Sequence, residues 1–233
     1  MAKTQIPWGR IVAEFFVIIA GVTLALLADD WRDFRNDRRE ENIALQEVLA
    51  DLRTDATELA TQLGSQRSDE AAALWALRNL EEDLPGDSVW GMVSSLYFYS
   101  AYEQVNSGYK GLRDSGRLSI LHDPELKRQI VLYYEVTQPY LSHWYEQWWE
   151  AYGELTESSA PYLRIVPNES GDRLRGNSET RLVGPWREIS RDQQHVFRIE
   201  RIGNIASIFA NRIESKLEEN GELQRRVREA LGT

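Results

Sequence analysis

The chain has no cysteine, which removes disulfide scaffolds, thiolate zinc sites and cysteine nucleophiles together. Histidine is scarce: His122, His143 and His195 are the only three, too scattered to make a metal-ligand pattern, so no metal is expected. Basic residues are in the minority, with Lys+Arg 27 against Asp+Glu 37 and a net charge of −10 over 233 residues. That balance speaks against general nucleic-acid binding, which needs a cationic surplus to displace counterions from phosphates. The signatures GxxxxGK[ST], HExxH and GxSxG are missing, and no GxGxxG follows a strand. With no nucleophile and base paired in any motif, neither an enzyme nor a cofactor is expected. Acid pairs such as Asp29/Asp30 and Glu81/Glu82 read as solvated faces.

Long apolar runs are missing too, with one exception: residues 11–28, IVAEFFVIIAGVTLALLA, where Glu14 and Thr23 are the polar members. With Gly9 and Arg10 this run makes a helix of about 30 Å, the thickness of a bilayer core. Its eleven Val, Ile, Leu and Phe side chains, at about −0.3 to −0.6 kcal/mol each, outweigh one off-centre acid costing at most roughly 3 kcal/mol. Trp8 and Trp31 bracket the run at the two headgroup levels, as interfacial anchors. A cleaved signal peptide is the rival reading, since Lys3 and Arg10 precede the apolar stretch. The run exceeds a usual signal-peptide core, and cleavage after Ala28 would put bulky Leu26 at the −3 position, so an uncleaved single-pass anchor is the better reading. Lys3 and Arg10 favour a cytoplasmic N-terminus and an external, periplasmic C-terminal domain, against which stand Arg32, Arg35, Arg38 and Arg39 at the other end.

Within the run, Glu14, Ile18, Gly21, Ala25 and Ala28 recur at alternating spacings of four and three and share one helical face. Gly21 and Ala25 form a small-xxx-small pair that lets two membrane helices approach closely, although both residues are common in membrane helices generally. Glu14 on that face points to a protein neighbour or an aqueous path, or else it pairs with Arg10 one turn earlier.

From Asp29 to Leu63 there is neither Pro nor Gly, so the membrane helix is expected to continue as an amphipathic stalk. Leu45, Leu49, Leu52, Ala56, Leu59 and Leu63 form a heptad seam, which can pair with a second copy or bury against later helices of the same chain. Gly64 and Ser65 are expected to end it. The organisation expected is a tail at 1–9, a transmembrane helix at 10–30, a stalk at 31–64 and a helical domain at 65–233. Within that domain, helices are predicted from Ser68 to Glu82 and from Ser88 to Val105, either side of the break Leu84-Pro85-Gly86-Asp87. Residues 106–116 look too glycine-rich for a long regular element. Asp123 as N-cap and Pro124 as first helical residue start a helix to about Thr137, where Pro139 disrupts or kinks it. An aromatic helix follows, then an irregular segment near 161–194, a helix from Val196 to about Leu217, and a short basic helix after Gly221. No alternating strand set is evident, and the class is all-α.

Two stretches carry a resemblance. Residues 13–22, AEFFVIIAGV, continuing to Ala25-Leu26 and the acidic exit Asp29-Asp30-Trp31, resemble the start of a family of uncharacterised bacterial single-pass membrane proteins. Residues 109–121, YKGLRDSGRLSIL, with Pro124-Glu125-Leu126 and Tyr133-Tyr134, are similar to that family's second recurring signature. The resemblance covers roughly residues 8–135 and implies a membrane helix, a charged helical stalk and a helical domain in a bacterial inner membrane; it implies no activity.

The densest remaining feature is the aromatic cluster between Tyr133 and Tyr152. Tyr140, Trp144, Trp148 and Trp149 are candidates for an exposed interaction surface, the alternative being a thick core against the stalk. The function expected is a membrane-anchored, noncatalytic helical protein. It would self-associate through its transmembrane and stalk helix and present its helical domain to a protein partner, with the bilayer and further copies of itself as the other partners. The alternative is a homo-oligomeric pore with Glu14 lining the ion pathway.

Overall fold

The computed structural model describes residues 8–98, 105–167 and 178–232. Helix α1 (Trp8–Arg78) is followed by α2 (Gly86–Val93), whose last turn tightens into a 3-10 turn at Ser94–Tyr97. Then come α3 (Ser107–Asp114), a 3-10 turn at Arg117–Ile120, α4 (Pro124–Leu132), a π turn at Tyr133–Thr137 and α5 (Gln138–Ser159). Strands β1 (Leu163–Pro167) and β2 (Ser178–Leu182), α6 (Trp186–Ile189) and α7 (Gln193–Leu231) complete the order. The protein is all-α apart from the β1–β2 hairpin, which pairs antiparallel from Leu163 opposite Leu182 to Pro167 opposite Ser178. That hairpin lies in the stretch expected to be irregular; its strands, LRIVP and SETRL, do not alternate apolar with polar residues, so no period of two marks them.

α1 is one helix of 71 residues, about 107 Å long at 1.5 Å per residue. It runs through Gly64 and Ser65, where the sequence suggested a stop. The buried seam explains this: Leu45, Leu52, Leu59, Gln66 and Ala73 repeat every seven residues and are all buried. Burial of that one stripe continues across Gly64 and outweighs a glycine penalty of about 1 kcal/mol. Hydrophobic periodicity fades there because the seam itself turns polar at Gln62, Gln66 and Asp69. α7 repeats the pattern. It passes Gly221 without a break, and its seam turns polar just before it, at buried Lys216 and Asn220.

Three long rods form the body: α1 from Glu41 onward, α4 continued by α5, and α7. Trp148 bonds to Asp69 and Gln138 to Asp55, so α5 runs parallel to α1. Asn220 bonds to Leu52 and Arg67 to Glu214, so α7 runs antiparallel to it. Of the leucines read as a stalk seam, Leu45, Leu49, Leu52 and Leu59 are therefore buried against later helices of the same chain, and Leu63 is half-buried. Asp123 caps α4 by accepting from the N–H groups of Glu125 and Leu126, with Pro124 at the first position as its fixed φ favours. Pro139, lacking an N–H, stands at the start of α5, and the helix widens into the π turn just before it.

The apolar interior has two parts. One, nearer the N-terminal half of α1, joins Ala44, Leu45, Val48 and Leu52 to Tyr109, Leu126, Ile130 and Val227. The other joins Leu59, Ala73 and Ala76 to Leu141, Trp148, Ile202 and Phe209. At the far end the carbonyls closing α1 are capped across the fold: Trp186 Nε1 donates to Asn79 O at 2.8 Å and Ser190 Oγ to Leu80 O at 2.5 Å.

Candidate functional site

Every side chain described between Ile19 and Glu40 is exposed, a length of about 33 Å along which Phe34 meets the His122 ring edge to face with centroids 6.2 Å apart. Leu24 is 66% and Trp31 62% exposed. Around Gly21, a Cβ would meet nothing within 4 Å, and Ala25 and Ala28 are likewise open, so the small-residue face is free. Trp8, Glu14 and Ile18 of the expected anchors and association face lie outside the residues whose side chains are described. Among the described residues, no helix is long and apolar enough to cross a membrane; of the run 11–28, the described side chains begin at Ile19. The Arg35 guanidinium carbon lies 4.7 Å from the Trp31 ring centroid.

The four aromatic candidates on α5 separate. Tyr140 and Trp149 are exposed and Trp144 is half-buried, whereas Trp148 is fully enclosed. Trp148 is thus a core residue and not part of an interaction surface. Its position faces α1, where its Nε1 donates to Asp69 at 3.2 Å. Trp149 points outward one residue later, its ring stacked on Tyr152 with centroids 5.5 Å apart.

Between the two apolar parts runs a buried polar seam that hydrophobic periodicity could not reveal. At its centre the Tyr133 hydroxyl donates to Asp55 and accepts from Asn220 Nδ2 at 2.7 Å. Gln138 Nε2 donates to the other Asp55 oxygen at 3.3 Å. Lys216 Nζ donates to Tyr133 O at 3.0 Å and Thr137 Oγ1 at 2.7 Å, and sits 3.1 Å from the Tyr133 ring centroid. The π turn makes this possible, because it turns the Tyr133 carbonyl and the Thr137 hydroxyl toward α7. Burial raises the Asp55 pKa, opposed by Tyr133, Gln138 and the Lys216 charge. Burial lowers Lys216 to about 7, against the pull of Glu219 and Asp55. A groove of about 250 Å³ opens beside the turn, lined by Gln129, Leu132, Tyr133, Thr137, Glu219 and Leu223 among others.

Further along α1, burial pushes Asp69 up to about 7, with Ser95 and Trp148 opposing. Gln62 and Gln66 are buried there, and among the described residues neither amide finds a hydrogen-bond partner, an arrangement that costs about 1–3 kcal/mol for each unmet group.

The signature around Tyr109 also acquires a physical meaning. Asp51 of α1 accepts from Gly108 N at 2.6 Å and Ser107 Oγ at 2.9 Å, which clamps the start of α3 to α1. A side chain at 108 would be impossible, since its Cβ would fall 2.9 Å from the Glu47 carbonyl carbon. Tyr109 stacks on Tyr134 with centroids 4.6 Å apart, and its hydroxyl and Arg113 Nη1 both donate to Glu135 at 2.9 Å. These residues join α3, the π turn and α1.

The histidines are apart. His195 is buried, its Nδ1 3.3 Å from Ser158 Oγ and its Nε2 3.4 Å from Tyr97 Oη, and burial lowers its pKa to about 4. Asp192 accepts from the backbone N–H groups of Gln194 and His195 as the α7 N-cap and from the Tyr162 hydroxyl at 3.0 Å, and its charge opposes the lowering of the His195 pKa. His122 is tied to Glu41 on α1 through both its N–H and its Nδ1, at 2.7 and 3.0 Å. Among the described residues no three His, Asp or Glu side chains gather as a metal-binding group.

No protein-family model, curated protein or solved structure matches the chain.

Proposed function

We propose that this chain is a noncatalytic, membrane-anchored helical protein. It associates with its own copies through the N-terminal part of α1 and holds its three-rod bundle outside the bilayer for interaction with a protein partner. The observation that carries this reading is the exposed stretch of α1 from Ile19 to Trp31. Ile19, Val22, Leu24, Leu26, Leu27 and Trp31 are all exposed among the described residues. A continuous apolar surface of that size marks contact with lipid or protein. The run 11–28 supplies the length to cross, and the resemblance of residues 8–135 to single-pass proteins of bacterial inner membranes supports the same placement, with the N-terminus cytoplasmic and the bundle periplasmic.

The free face at Gly21, Ala25 and Ala28 supports association between anchors. The exposed Tyr140 and Trp149 give the bundle a candidate contact surface. The test is fractionation of the full-length chain. It should stay with membranes at full mass through alkaline carbonate, and in mild detergent it should sediment as an oligomer that Gly21→Leu and Ala25→Leu weaken. Recovery of a shortened form beginning near Asp29 would overturn the anchor.

A further inference from the structure

Arg32, Arg35 and Arg39 follow Gly21, Ala25 and Ala28 at the same alternating spacing of four and three. On a helix with 100° per residue the association face therefore runs straight into three arginines. Those side chains line one open hollow with Trp31 and Asn36. The stretch is rich in acids, yet Asp33, Asp37 and Glu40 fall on another side of the helix, and Asp29, one turn before Arg32, stands at the edge of the face. Among the described residues no carboxylate lies within 4.0 Å of Arg32, Arg35 or Arg39. Arg38, off that face, does pair, with Glu41 at 3.1 Å.

Copies packed through Gly21, Ala25 and Ala28 would bring these arginines together, and like charges in contact need an anion between them. Guanidinium forks match phosphate oxygens in shape and number of donors. The exposed side chains of Leu24, Ala28 and Trp31 stand on the same side, one to two turns toward the apolar run, where an acyl chain would lie. A free phosphate ion has no use for that apolar approach, and a headgroup with its tail does.

We propose that Arg32, Arg35 and Arg39, beside Trp31, dock the phosphate of an anionic phospholipid headgroup where α1 leaves the bilayer. This rests on the membrane-anchor reading. The docking fixes the depth of the helix and screens the arginines of neighbouring copies from one another.

The test uses the full-length chain reconstituted in phosphatidylcholine vesicles containing a minor share of phosphatidylglycerol, then extracted in mild detergent. Retained lipid per protein is counted by native mass spectrometry and phosphorus NMR. Wild type should hold phosphatidylglycerol enriched about tenfold over the bulk ratio, as a few arginines at a charged surface allow. The variant Arg32→Gln/Arg35→Gln/Arg39→Gln should hold both lipids at the bulk ratio, Arg53→Gln should behave as wild type, and millimolar inorganic phosphate should displace nothing. If the triple variant does not incorporate, the three single variants carry the comparison, each losing part of the enrichment. Bulk-ratio retention by wild type, enrichment that survives removal of the arginines, or displacement by free phosphate would overturn the proposal. Failure of wild type to enter vesicles at all would instead overturn the anchor itself.

Discussion

Gly203 of α7 and Ala73 of α1 face each other so closely that a Cβ built on Gly203 would stand 2.5 Å from the Ala73 Cβ. Real Cβ atoms do not approach to that distance, so the two helices are in contact along their backbones at this level. Gly203→Ala should force them apart and lower stability by about 1–3 kcal/mol, although alanine is the better helix former. Denaturant unfolding of the full-length chain in detergent checks this; an unchanged or raised midpoint would contradict the contact.

The two neighbouring tryptophans should respond differently. Trp148→Ala removes a fully enclosed ring and should cost about 3–5 kcal/mol. Trp149→Ala removes a ring that is 47% exposed and should cost less than about 1.5 kcal/mol. Equal losses would mean that the outward face of α5 is covered.

Asp69 gives a pH dependence with a definite sign. Its folded pKa is raised from 3.8 to about 7, so between those values the unfolded chain ionises while the folded one stays protonated. Its contribution is fully present below about pH 4 and is lost as pH rises through 7, a change of up to about 4 kcal/mol. Lys216 acts on the other side: lowered from 10.5 to about 7, its contribution is present above 10.5 and lost as pH falls through 7. The melting temperature from these two groups should pass through a trough near neutrality. Asp69→Asn should flatten the acid limb and Lys216→Met the alkaline limb; limbs that persist in the variants would assign the titrations elsewhere.

Asp51→Ala should release α3. The carboxylate holds two backbone N–H groups and the Ser107 hydroxyl, and removing such a buried acceptor costs about 1–3 kcal/mol. Hydrogen exchange should rise over Ser107–Asp114 while α7 stays protected. Uniform loss of protection along the chain would show that α3 is part of one cooperative unit.

Glu14→Gln addresses the pore alternative. It removes a charge and keeps size, so an anchor that only associates should sediment as wild type does, and wild type should be silent in planar bilayers. Single-channel currents that change with Glu14→Gln would instead make conduction the function.

The helical class, the Asp123–Pro124 helix start and the break near Pro139 were legible because each rests on local chemistry: apolar residues at helical spacing, a capping carboxylate, and a ring that has no N–H to give. The seam leucines of α1 were legible as a buried stripe, with burial against later helices of the same chain one of the two outcomes that the spacing allowed. The ends of α1 and α7 were not. At Gln62, Gln66, Lys216 and Asn220 the stripe stays buried but is no longer apolar, and a pattern of hydrophobicity cannot follow a seam held by hydrogen bonds across the fold. The partner of each polar group lies far along the chain, as Asp55 does from Tyr133 and Lys216 from Thr137. The separation of Trp148 from Trp149 was equally out of reach, since a helix places successive residues about 100° apart and only the packed position of α1 decides which of them is inside. What the sequence determined by itself was the helical class, the start of α4 and the apolar run at 11–28, though not the helix at Ser107–Asp114 or the unbroken lengths of α1 and α7; the tertiary structure decided which polar residues share the interior, because burial is a property of what the rest of the chain brings to the other side.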